Sequence, residues 1–207
     1  MFRATVFFYL VVSMIAPAGV SAQTSDDSQV AVSVFNDAQV DRPTLESGLD
    51  RAAAVFRRSG IQLIWAECSQ GLGKVSRDCT VPSDGAHLAL RILTRSLNLK
   101  SEVYGVAFLG EDGRGTQADV FFGEVANHAP TGANVSNMLG HVIAHELGHL
   151  LLGSNSHATS GIMRSRWQAA ELQSLAHGAL FFTPDQVKLM QARLQKGEKY
   201  VEARLGR

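Results

Sequence analysis

His145, Glu146 and His149 stand together in the stretch HELGH. On a helix, residues i and i+4 lie one above the other on a single face. Two imidazoles so placed can converge on one cation, each nitrogen about 2.0–2.1 Å from a zinc ion. Glu146 points to the adjacent face, where a carboxylate can take a proton from a water that such an ion has acidified. The neighbours favour this chemistry over a helix that merely carries histidines. Gly148 costs a helix about 1 kcal/mol against alanine, which makes sense where something packs closely. Leu147, Leu150 and Leu151 make the segment strongly apolar, and an unpaired histidine in such a helix is expensive. His141 lies one turn upstream on the same face. It is eight residues from His149, about 12 Å along the axis, so both cannot reach one ion. His141 is read as a structural residue or as a support behind a ligand.

A zinc site needs a third protein ligand. Gly153 allows the helix to stop and the chain to fold back. Ser154, Asn155 and Ser156 are turn formers, and they deliver His157. An alternative is a thermolysin-like arrangement, in which a glutamate on a following helix closes the site. Glu171, in WQAAELQSL, is the residue that would do so. With either ligand the metal keeps one position open for water, and Glu146 serves as general base. The reaction this constellation suits is hydrolysis of a peptide bond. Two other classes share its residues: a zinc-binding protein without peptidase activity, and a hydrolase of non-peptide amides.

These residues, together with Gly153 and the SGIM that ends at Met163, resemble the metzincin clan of zinc endopeptidases. More narrowly, the chain looks like small secreted bacterial proteins of this zincin type. The clan pattern is H-E-x-x-H-x-x-G-x-x-H. Here the glycine comes one residue late and the histidine two, and Asn155 occupies the usual place of the third histidine. Asparagine is a poor zinc ligand beside histidine, so a longer turn ending in His157 accounts for the spacing. The resemblance implies a zincin-like α+β fold. It would have a twisted, mostly parallel sheet of about five strands with an antiparallel edge strand, an active-site helix and C-terminal helices. It also implies one catalytic zinc ion, and Met163 in a tight turn beneath it. A peptide substrate would lie extended along the sheet edge nearest the helix, for which TQADVFFG (116–123) is the candidate.

The elements that must position these residues follow from the chain's patterning. VAVSVF (30–35) alternates as a strand does. DRPTLESGLDRAAAVFRRSG (41–60) reads as a helix, with Pro43 in its first turn, Gly60 at its end, and Leu45, Leu49, Ala52, Ala53 and Phe56 on one face. IQLIWAEC follows as a strand, and the β-α-β order predicts two parallel neighbours. Further strands are expected at 87–93, 104–110 and 116–125. The last two are joined by the turn EDGRG, which predicts a hairpin. The histidine helix should run from about 134 to 152, capped by Asn134 or Ser136. A helix near 167–176 and one opened by Thr183 and Pro184 complete the pattern.

The chain has 207 residues, 45% hydrophobic and 18% charged, enough for one packed domain. Lys+Arg and Asp+Glu are both 19, so nucleic acid is not an expected partner. Residues 1–22 have a basic Arg3, a short apolar run and a V-S-A end, the form of a secretory signal peptide cut after Ala22. Residues 23–207 would then be a single catalytic domain, secreted or periplasmic, monomeric and without stable membrane association. Cys68 and Cys79 are expected to form a disulfide across a polar loop, stabilising the fold by about 2–3 kcal/mol.

Overall fold

The first strand, β1 (Ser28–Asn36), places Val30, Val32 and Val34 on one face, all buried. Alternation of this kind buries one side of a sheet and leaves the other for smaller or polar groups. On the second side Ser33 bonds the exposed His87 through Oγ and Nε2, 2.8 Å apart. In this computed structural model the described residues are 28–68, 70–71, 74–75, 79, 86–95, 103–129 and 135–205. The leader expected at 1–22 and the cap expected at Asn134 lie outside them.

Helix α1 (Arg42–Arg57) opens on Asp41, whose carboxylate accepts from the Thr44 backbone N–H at 3.0 Å. Its buried face is Leu45, Gly48, Leu49, Ala52, Val55 and Phe56. Ala53, expected on that face, is only half-buried. Residue 53 lies off the line through 45, 49, 52 and 56, and Val55 fills the stripe instead. Strand β2 (Ile61–Glu67) then pairs parallel to β1, as the β-α-β order requires. Cys68 and Cys79 are joined in a disulfide, which spans a short hairpin of β3 (Gln70–Gly71) and β4 (Lys74–Val75).

Strands β5 (Ala86–Leu93), β6 (Gly105–Phe108) and β7 (Gln117–Phe121) complete the main sheet in the order β2-β1-β5-β7-β6. The first four run parallel, and β6 runs antiparallel to β7. The edge nearest the histidine helix is therefore β6, and TQADVFFG is not the edge. The hairpin makes β6 and β7 neighbours but leaves open which of them joins β5. Burial decides it. Residues 118–121 are all buried, as an interior strand requires, whereas β6 buries only Ala107. The expected strand at 116–125 also stops early, because Phe122–His128 form helix α2. Phe121 and Val125 are both buried and four residues apart, a helical interval that a short apolar run cannot distinguish from a strand.

Helix α3 (Val135–Leu152) is buried at every residue from Met138 to Leu152. It packs on α1, on the β6–β7 side of the sheet, and on α4 (Ala169–Ala176) and α5 (Pro184–Leu205). Ser136 lies inside α3, where it accepts a hydrogen bond from Ser47 Oγ, and so does not cap it. Thr183 and Gln186 bond reciprocally at the start of α5. No helix among the described residues is long and apolar enough to cross a membrane.

His141 is fully buried in α3, and its Nδ1 donates to the Asn137 carbonyl at 2.7 Å. Burial pushes its pKa down to about 4 from 6.5, so the fold holds it neutral. A histidine that must stay neutral stabilises the fold above its unfolded pKa, and that stability is lost as pH falls from about 6.5 towards 4. Urea unfolding of the metal-free protein at pH 7 and pH 4 should show the parent losing on the order of 3 kcal/mol more than His141→Leu. Equal losses would refute this.

Candidate metal centre

His145 and His149 leave α3 one turn apart, and their Nε2 atoms face each other at 3.1 Å. Backbone carbonyls set both rings. His145 Nδ1 lies 2.7 Å from Ile162 O, and His149 Nδ1 lies 2.7 Å from Ser154 O. A carbonyl only accepts, so each Nδ1 carries the proton and each Nε2 presents a lone pair. Two buried lone pairs aimed at one point repel unless a cation lies between them. Burial holds His145 neutral, with a pKa near 3, and lowers His149 and His157 as well.

His157 reaches the same point by the route the turn residues imply. Gly153 adopts φ +66°, the left-handed region that glycine tolerates, and its N–H donates to His149 O at 2.9 Å. The exposed His157 ring then lies 5.4 Å from that of His145 and 4.9 Å from that of His149, centre to centre. One nitrogen from each of the three rings falls within 4.8 Å of the other two. Tetrahedral ligands of zinc stand about 3.3 Å apart. The neutral imidazoles, the fixed tautomers and the shared focus fit such an ion.

Glu171 is not brought to this cluster. Its Oε2 accepts from the Gln168 N–H at 3.0 Å in a capping box at the start of α4, and its Oε1 pairs with Arg164 at 3.3 Å. The bond to Gln168 foremost, with help from Arg164, holds its pKa below the usual carboxylate value. His141 also stays outside.

Met163 is buried in a turn below α3. Gly161, at φ +75°, precedes it, and the Arg164 N–H closes back on Gly161 O at 3.1 Å. A β-carbon on Gly148 would come within 2.8 Å of Met163 Sδ and 2.7 Å of Phe182. Gly148 thus lets the helix sit directly on the turn, the close packing that justifies its cost.

Glu146 is buried, and burial raises its pKa to about 8. It lines a cleft of about 210 Å³ with His145 and His157. Sequence reasoning missed the rest of that cleft. Tyr104 comes just before β6 and Gly105 opens it, and Arg164 and Trp167 follow Met163. Tyr104 is 41 residues before His145, and nothing in the local pattern links them. The only signal for Trp167 was a large aromatic close behind the turn.

Among solved structures, an archaemetzincin from Methanopyrus kandleri matches 85% of this chain and 99% of its own, at 16% identity and a TM-score of 0.50. A zinc-dependent peptidase from Methanocorpusculum labreanum matches 77% of this chain and 99% of its own, at 14% identity and 0.52. Metalloproteinase-II from Bacteroides fragilis is similar over 84% of this chain and 55% of its own, at 12% identity and 0.50. The fold is zincin-like. At these identities the likeness is one of architecture, and the zincin-like sheet, edge strand and central helix expected from the resemblance are present. No protein-family model and no curated protein sequence matches the chain.

Substitution separates the two possible third ligands within this zincin-like frame. Metal analysis of the zinc-loaded protein should find about one ion per chain, lost in His157→Ala. Glu171→Ala should keep the ion but lower the unfolding temperature through loss of its helix capping box. Loss of zinc from Glu171→Ala alone would reverse the assignment.

Proposed function

We propose that this protein is a secreted zinc-dependent peptidase. The observation that carries this reading is the convergence of three neutral imidazoles beside a buried glutamate, in a cleft bordered by a sheet edge. In it, His145, His149 and His157 hold the ion, and Met163 supports the ligands from below. When bound, zinc supplies a Lewis acid that polarises the scissile carbonyl and makes water a nucleophile near neutral pH. Glu146 takes the proton from the attacking water and passes it to the leaving amine. Burial alone favours the neutral acid, and the charge of a bound cation beside it would favour the carboxylate that accepts this proton. Residues 1–22 serve as the export signal, and the disulfide suits an oxidising compartment.

An extended peptide would add to β6, the outer strand of the sheet beside the cleft. Backbone pairing there would lay the scissile bond across Glu146 and the three histidines. This replaces β7 as the docking strand.

The zinc-loaded chain from Gln23 onward, incubated with a mixed peptide library, should release new termini, and Glu146→Gln should lower turnover at least about a hundredfold while keeping zinc. Zinc bound without Glu146-dependent cleavage would instead mark a zinc-binding protein. Turnover confined to non-peptide amides would change the substrate class. Gly105 offers a second check, because a β-carbon there would stand 2.6 Å from Glu146 Cγ and 2.8 Å from the Asp119 carbonyl. Gly105→Ala should keep its zinc and lose at least about tenfold in kcat by displacing the carboxylate. Unchanged kcat would show that Glu146 does not need this seat.

A further inference from the structure

The Ile162 carbonyl receives two donors. His145 Nδ1 is 2.7 Å away and Trp167 Nε1 is 3.0 Å away. A carbonyl oxygen has two lone pairs, so this acceptor is fully used. That oxygen belongs to the peptide between Ile162 and Met163 in the turn, and the N–H of the preceding peptide, at Ile162, is tied to Phe181 O at 3.1 Å. The two donors on the oxygen hold the Ile162–Met163 peptide in its orientation. The Trp167 ring also meets the His145 ring edge-on, 6.1 Å between centres, and the residue walls the cleft.

We infer that Trp167 is a positioning residue for the metal ligand His145, acting through the Ile162 carbonyl. This rests on the zinc reading above. The indole N–H holds the carbonyl where it fixes the His145 tautomer, and the ring limits how far the imidazole can swing. A ligand whose orientation depends on such a partner binds its metal more weakly when the partner is removed, typically by 10–100-fold. Because the same side chain walls the cleft, whatever fills the cleft beside Trp167 bears on a metal ligand.

The test is a zinc dissociation constant, measured by competition with a chromophoric chelator, for the parent and Trp167→Phe. Phenylalanine keeps an aromatic wall and lacks the N–H. The expected result is a dissociation constant raised about tenfold, with shifted visible bands in the cobalt(II)-loaded form and thermal unfolding of the metal-free form unchanged. A purely structural role would lower the unfolding temperature and leave the cobalt bands in place. Should Trp167→Phe fail to fold, β-(3-benzothienyl)alanine at position 167 preserves the ring's shape and replaces N–H by sulfur. Zinc affinity within about twofold of the parent and unshifted bands in whichever variant folds would overturn the inference alone. A parent protein that binds no zinc would overturn both this inference and the peptidase reading.

Discussion

Two imidazole nitrogens held 3.1 Å apart inside a buried helix are the constraint on which this site depends. Each must present a lone pair to the same point, so each must give its other nitrogen's proton to an acceptor. His141, on the same helix, donates to the carbonyl of Asn137 one turn back, whereas His145 and His149 use acceptors beyond the helix. Those acceptors come from the chain that follows α3. Ser154 O and Ile162 O are those acceptors. The turn at Gly153 and the turn at Gly161 thus orient the imidazoles as well as redirecting the chain.

That arrangement places demands on what surrounds it. A helix buried on all sides needs partners on all sides, which α1, the sheet, α4 and α5 supply. Where α3 meets the Met163 turn, a β-carbon at 148 would force the Met163 and Phe182 side chains aside. Where it meets the edge strand, only glycine at 105 leaves space for the Glu146 carboxylate. The cleft beside Glu146 and His145 is walled by Tyr104, Gly105 and Trp167. Arg193 secures a further junction. It reaches from α5 to donate to Gly113 O at 3.0 Å, with its guanidinium against Gly153, linking the β6–β7 turn to the end of α3.

Much of this was legible in the sequence because it depends on local periodicity. His145, Glu146 and His149 follow from the i, i+4 geometry of one helix. His157 follows from a short glycine-led turn, and β1, α1 and β2 from alternation and caps. The parts that were misread involve choices between remote partners. TQADVFFGEV contains enough β-branched and aromatic residues to read as a strand throughout, yet Phe121 and Val125 turn inward together and the second half winds into α2. Its first half reads as a sheet edge, because a hairpin's sequence does not say which of its strands meets the rest of the sheet. Glu171 looked free to bind metal, but its carboxylate caps its own helix and pairs with Arg164.

By itself, then, the sequence determined the chemistry that can be held on α3 and the direction in which the chain must turn afterwards. Those are matters of spacing along a few residues, where backbone geometry leaves little choice. Tertiary structure decided which strand borders the cleft, which of His157 and Glu171 joins the two helical histidines, and that Tyr104, Gly105 and Trp167 share the space beside Glu146. Those contacts join segments tens of residues apart. They are selected by burial and packing of the whole core, which no local pattern records.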